Sequence, residues 1–178
     1  MPTSTAPPMP AEMPTAIESL ARVRTVAYHG GPVKPQTQPK YANHPMVFDL
    51  SGITVANFGR GLPILFAHDQ RRPIGHASMV TIGTSIVAAG VLSVPSSLTT
   101  MITNAASNGY RWAVSVGIAA QQIETIPPSR PVVVNRRSLI GPLHIVRAGW
   151  LGEFSLLTIG SDRMAFATIT PSPAAIAA

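Results

Sequence analysis

Three observations predict a mainly β protein with helical decoration, built as a β-barrel or strongly curved sheet: many short β-prone runs, one amphipathic helix, and one strictly alternating strand. Residues 23–28 are β-prone and end at Gly30-Gly31. Residues 46–49 and 53–55 flank Ser51-Gly52, a turn signal. Residues 62–67 form a compact apolar run that reads as a buried strand, and residues 74–82 and 86–93 form a hairpin about Gly83-Thr84.

The helix follows. Ser93 suits an N-cap or pre-cap position, Pro95 the first turn and Gly109 the C′ position. Leu98, Met101, Ile102 and Ala105 share one stripe at helical spacing. The next strand alternates: Trp112, Val114, Val116 and Ile118 point one way, Ala113, Ser115, Gly117 and Ala119 the other. With the large residues toward the core, Ser115 lies on a face with room for a substrate backbone. Later strands are expected at 123–126, 132–135, 143–147 and 154–159. Residues 1–19, rich in Pro, Thr and Ala, read as a disordered tail with a short helix near 16–21, and residues 171–178 as a second low-complexity tail. Residues 20–170 are then one domain.

Composition narrows the function. The chain has 178 residues, 46% hydrophobic and only 11% charged, enough to bury a core. Thirteen Lys and Arg against seven Asp and Glu give a formal charge of +6, which suits an acidic partner, either nucleic acid or an acidic protein such as a scaffold. The basic residues are scattered, with Arg71-Arg72 and Arg136-Arg137 as doublets, and aromatics are few, which disfavours nucleic acid. The absence of cysteine excludes disulfides, thiolate nucleophiles and Cys-type zinc sites. The opening residues carry no basic region followed by an apolar stretch, so no secretory signal is expected. The charge-free stretch between Arg72 and Arg111 is interrupted by Gly83, Gly90 and Pro95 and does not read as a membrane span.

Three residues carry candidate chemistry. His68 closes the apolar run 62–67, Ser115 sits on the small-residue face, and Glu153 is set in the apolar run 150–157. A hydroxyl, an imidazole and a carboxylate are the nucleophile, base and orienting group of an activated-serine site. Plain structural roles are open to the same residues. His68 could be a strand-end histidine, Ser115 a close-packing position, and Glu153 the partner of Arg147 or Arg163. Asp69 could cap a turn over residues 70–73. His29, His44, His76 and His144 lack metal-ligand spacing and read as structural or surface residues, so no metal or cofactor is called for.

Read in order, the motifs Pro63-Ile64-Leu65-Phe66-Ala67-His68-Asp69, Asn108-Gly109-Tyr110-Arg111-Trp112-Ala113-Val114-Ser115-Val116-Gly117 and Leu151-Gly152-Glu153-Phe154-Ser155-Leu156 resemble those of the prohead proteases of tailed bacteriophages. That family matures procapsids and is related in fold to herpesvirus assemblin. The resemblance extends over residues 23–169, with Ala27-Tyr28-His29-Gly30-Gly31-Pro32 and Gly160-Ser161-Asp162 near its ends. Two departures are Val116, where Ile is usual, and Trp150-Leu151, where a more polar run is usual. The resemblance implies a closed or strongly curved antiparallel, assemblin-like barrel. It also implies a serine endopeptidase with Ser115 as nucleophile, His68 as base and Glu153 as third member. Assemblin's second histidine makes His144 the alternative third member, and its arginines point to Arg136 or Arg137 at the oxyanion. Substrates would be scaffold or capsid-protein segments and the chain's own tails, cleaved in the host cytoplasm inside the assembling procapsid. Self-association is left open. The rival is a catalytically inactive barrel that binds the capsid shell or scaffold. The two differ in whether Ser115 and His68 come within hydrogen-bond reach.

Overall fold

A computed structural model of the chain describes residues 20–34, 41, 43–56, 59 and 61–171. The expected tails lie outside these residues, apart from Pro171, and so does most of the short helix near 16–21, whose last residue, Ala21, instead opens the first strand. In order the elements are β1 (Ala21–Tyr28), β2 (Met46–Phe48), β3 (Ile53–Val55), β4 (Leu62–Phe66), β5 (Asp69–Ile82), β6 (Ile86–Leu92), α1 (Ser97–Ser107), β7 (Ala113–Ile126), β8 (Pro131–Val134), β9 (Arg137–Ile140), β10 (Leu143–Leu157) and β11 (Ala167–Thr170). The fold is mainly β with one α-helix among the described residues, as the sequence predicts.

Nine strands form one curved sheet in the order β11-β1-β6-β5-β4-β10-β2, with β3 and β7 also paired to β10, while β8 and β9 form a separate hairpin. The sheet is an open half-barrel, so the closed form of the expected barrel is not adopted. Between the start of β7 and the approach to β11 there is a single bridge, Ala113 to Phe166, flanked by the bonds Val114 N–H to Ala165 O and Ala167 N–H to Trp112 O, each 2.9 Å. Nor is the sheet antiparallel throughout. β10 pairs in parallel with β2, β3 and β4 in succession and antiparallel with β7. A strand covered on both edges and both faces needs a nearly continuous apolar run, and most of β10 is buried. The expected strands 143–147 and 154–159 are thus parts of one strand: register shifts around Ala148 and Gly152 bend it without ending it. In the same way the segment 123–126 is the end of β7. β9 and β11 had no sequence counterpart.

The hairpin of β5 and β6 forms as expected, but β5 begins at Asp69, so residues 70–73 are bulged strand and no turn. The helix starts three residues later than Ser93 suggests. Ser96 is the N-cap, its Oγ accepting from Thr99 N at 3.1 Å, and Pro95 precedes the cap. Ser93 Oγ instead meets His76 Nδ1 at 2.9 Å. Gly109, at φ 88°, ends the helix as expected. Of the apolar stripe, Ile102 is fully buried and Leu98 and Ala105 pack partly, while Met101 is exposed. Trp112 fixes the next strand under the helix by donating its Nε1–H to Ile102 O at 3.1 Å. A second cluster, Val47, Ile126, Val134, Leu143 and Ile145, seats the β8–β9 hairpin at the far end of β10. Among the described residues no helix is long and apolar enough to cross a membrane.

Candidate active site

His68 does not end a strand. Ala67 and His68 form a two-residue connection between β4 and β5, with φ of 55° and 58°. Left-handed geometry at both central positions matches the right-handed twist of the flanking strands. For residues with a Cβ it carries a steric cost, so neighbours must hold the turn. Ala67 N donates to Leu156 O at 3.1 Å and His68 N to Ser155 Oγ at 3.0 Å, both on β10. The turn thereby hangs the imidazole over the end of β10.

Glu153 reaches that imidazole because of a bulge. Leu151 pairs with Ile118 and Glu153 with Gly117, so Gly152 is an extra residue. In a regular strand Leu151 and Glu153 would share a face. The extra residue lets Leu151 face the core while Glu153 joins the face of Ser115. Glu153 Oε1 then lies 2.7 Å from His68 Nδ1, and Oε2 accepts the Ser155 hydroxyl at 2.8 Å. An ionised carboxylate only accepts, so Nδ1 is the donor in this pair, and Nε2 is the ring nitrogen left to act on another group. Gly117 makes room: a Cβ there would fall 2.1 Å from Glu153 Oε1.

Ser115 is half-buried on β7, directly opposite Ser155. It lines the same cleft as His68 and Glu153, a cavity of about 680 Å³ whose walls include Tyr28, Phe48, Leu65, Val116 and Asp162. Ser115 Oγ has no hydrogen-bond partner among the described residues, so the bond to His68 that the sequence reading asks for is not formed. The Tyr28 hydroxyl, buried under this cleft, donates to Gly31 O at 2.6 Å and accepts from Phe48 N at 3.1 Å, and burial pushes its pKa far up. It is a structural tie.

The other candidates are placed elsewhere. Asp69 accepts from Arg71 N at 2.9 Å and pairs with the Arg71 side chain, whose hydrogen bonds hold its carboxyl below the usual range. It therefore plays its local role, across a bulge. His144 is the second residue of β10, nine residues and on the order of 30 Å of strand from Glu153. There its Nδ1 meets Thr125 Oγ1 at 3.0 Å, and burial, then the neighbouring His44, lowers its pKa. The arginine role for Glu153 is also overturned. Arg147 binds Glu124 and Asp49, at 2.7 and 2.8 Å, and Arg163 is exposed. Burial opposes charge on Asp49, but Ser51 and Arg147 outweigh it and keep its pKa low. Arg136 is exposed at a turn and Arg137 donates to His29 O at 2.9 Å; neither lines the cleft. His29 itself is held by Asp162 through its backbone N–H at 2.9 Å and its ring at 3.2 Å.

Sequence reasoning missed Ser155, which strand alternation could have found, since it lies two residues from Glu153. It put Gly117 on the face of Ser115 but did not show that its missing Cβ makes room for Glu153. No protein-family model, curated protein or solved structure matches the chain.

Proposed function

We propose that this protein is a serine endopeptidase that cleaves scaffold or capsid-protein segments during phage capsid maturation. The observation that carries the reading is the His68–Glu153 pair at 2.7 Å, presented by a left-handed turn into a cleft shared with Ser115. In this reading Ser115 Oγ attacks the scissile carbonyl while His68 Nε2 takes its proton. The tetrahedral intermediate collapses as the imidazolium returns that proton to the leaving amine, and water then releases the acyl group by the same route. Glu153 fixes the tautomer and stabilises the imidazolium. The candidate oxyanion donor is the Val116 N–H. Val114 N–H points away from β10, to Ala165 O, and Val116 follows it by strand alternation while lining the cleft.

A catalytically inactive barrel that binds the capsid shell or scaffold is the second reading, favoured by the missing Ser115–His68 bond. Co-expression with the cognate capsid protein and intact-mass analysis of every chain separates the two. The protease reading expects discrete truncations with the wild-type chain and none with Ser115→Ala. Full-length capsid protein and scaffold in both cases would favour the inactive barrel.

A further inference from the structure

We infer that Ser155 is a positioning residue that locks the base and its carboxylate into one unit, a role that rests on the protease reading above. Ser155 is fully buried, so its hydroxyl cannot meet substrate. All of its hydrogen-bonding acts on the pair beside it. Its proton goes to Glu153 Oε2 at 2.8 Å, and its oxygen accepts the His68 backbone N–H at 3.0 Å. One hydroxyl therefore ties the backbone that carries the imidazole to the carboxylate that must meet it. The Nδ1 to Oε1 contact of 2.7 Å closes the ring: His68 backbone, Ser155, Glu153, His68 side chain.

Each link has a physical purpose. The His68 N–H lies in a turn whose left-handed residues disfavour themselves, and the Ser155 oxygen gives that turn a fixed seat. With Oε2 held by the hydroxyl, the carboxylate cannot rotate freely, and Oε1 stays on Nδ1. Ser155 also pairs directly across from Ser115, so the strand that orients the base is in register with the strand that bears the nucleophile. Alanine at this position would remove the donor, leave one carboxylate oxygen and one backbone N–H without partners, and keep nearly all of the volume.

A fluorophosphonate probe, whose phosphorus is attacked by Ser115 Oγ with loss of fluoride, reports the competence of the base without a known substrate. The full chain and its Ser155→Ala and Ser155→Cys variants are labelled, with adduct mass and position read by mass spectrometry. In parallel, NMR of isotopically labelled histidine rings reads the His68 tautomer. Ser155→Ala is expected to slow labelling roughly 10- to 100-fold, the weight of a hydrogen bond to a charged group, and to lose the pure Nδ1–H tautomer. Ser155→Cys, which keeps a weak donor of similar shape, should fall between alanine and wild type. Slowed labelling with an unchanged His68 tautomer would make Ser155 a packing residue only and overturn the inference, as would wild-type rates in Ser155→Ala. Should Ser155→Ala not fold, the cysteine variant decides by the same two readouts. Wild-type protein that takes no label at Ser115 would overturn the protease reading instead, while the tautomer comparison would still judge Ser155.

Discussion

Two hairpin turns in this molecule share one backbone and differ in everything else. Ala67-His68 and Asn135-Arg136 are both two-residue connections with left-handed φ at each position, 55° and 58° in the first, 50° and 60° in the second. The Asn135 turn is built from favourable local chemistry. Asparagine tolerates this conformation, and its side chain clamps backbone at three places: Nδ2 donates to Gly30 O at 3.0 Å and Phe48 O at 2.8 Å, and Oδ1 accepts from Leu50 N at 2.9 Å. The Ala67 turn has none of this. Alanine has no polar side chain, and the turn is held through its own N–H groups, which donate to Leu156 O and to the Ser155 hydroxyl on β10. In each turn one residue suits the left-handed backbone, Asn135 in one and His68 in the other, and one does not, Arg136 and Ala67. The turns differ in what holds them: a side chain of the turn itself in one, bonds to β10 in the other.

The largest effect that would break this comparison comes from the second residue of each turn. On the protease reading proposed above, His68→Ala and Ser115→Ala should each lower the rate of peptide cleavage by about 10⁶-fold, the scale for losing a base or nucleophile from an activated-serine site. Arg136→Ala, at the matching turn position, should change neither cleavage nor stability, since Arg136 is exposed and outside the cleft. Comparable losses from Arg136→Ala would remove the distinction between the turns.

Next come the groups that reach the His68 turn from outside it. Glu153→Gln should cost about 10⁴-fold, less than loss of the base, because an orienting group tunes the chemistry without performing it. Gly117→Ala alters neither partner, yet its Cβ would lie 2.1 Å from Glu153 Oε1, so it should slow cleavage by displacing the carboxylate. His144→Ala should cleave normally. A dead but folded His144→Ala enzyme beside an active Glu153→Gln enzyme would transfer the third role to His144.

These contrasts also show what the sequence could reveal. The mainly β character, the helix and the face bearing Ser115 follow from periodicity, because alternation and helical stripes are local properties. The unity of β10 was hidden, since the segment 148–153 between the two expected strands holds Gly149 and Gly152, which the structure uses within a bent strand. The parallel pairings of β2, β3 and β4 with β10 are long-range choices that no local pattern encodes. His68 and Glu153 were legible as candidates, but their meeting depended on a left-handed turn without glycine and on a bulge, and neither leaves a local signature. The β8–β9 turn was equally hidden, because Asn135 is followed by arginine where glycine would have marked the hairpin.

The first residues of the two turns offer smaller effects of opposite sign. Asn135→Ala removes three hydrogen bonds from a partly buried site, so it should destabilise the fold by about 2–4 kcal/mol. A shifted urea midpoint would show this, with labelling of Ser115 retained in the folded protein. Ala67→Asn does the reverse. Ala67 is exposed, so a longer side chain meets no wall, and the left-handed backbone that costs an alanine about 1–2 kcal/mol costs an asparagine less. The expected gain is about 0.5–1 kcal/mol, less than the full relief because alanine and asparagine share a Cβ. It should appear as a higher urea midpoint with unchanged slope and an unchanged labelling rate, since the Ala67 N–H to Leu156 bond and the His68 ring geometry are kept. A stabilised Ala67→Asn protein with full activity would mean that the strain is only the geometric cost of presenting His68. Stabilisation with a slowed Ser115 would mean that the turn must also move during the reaction.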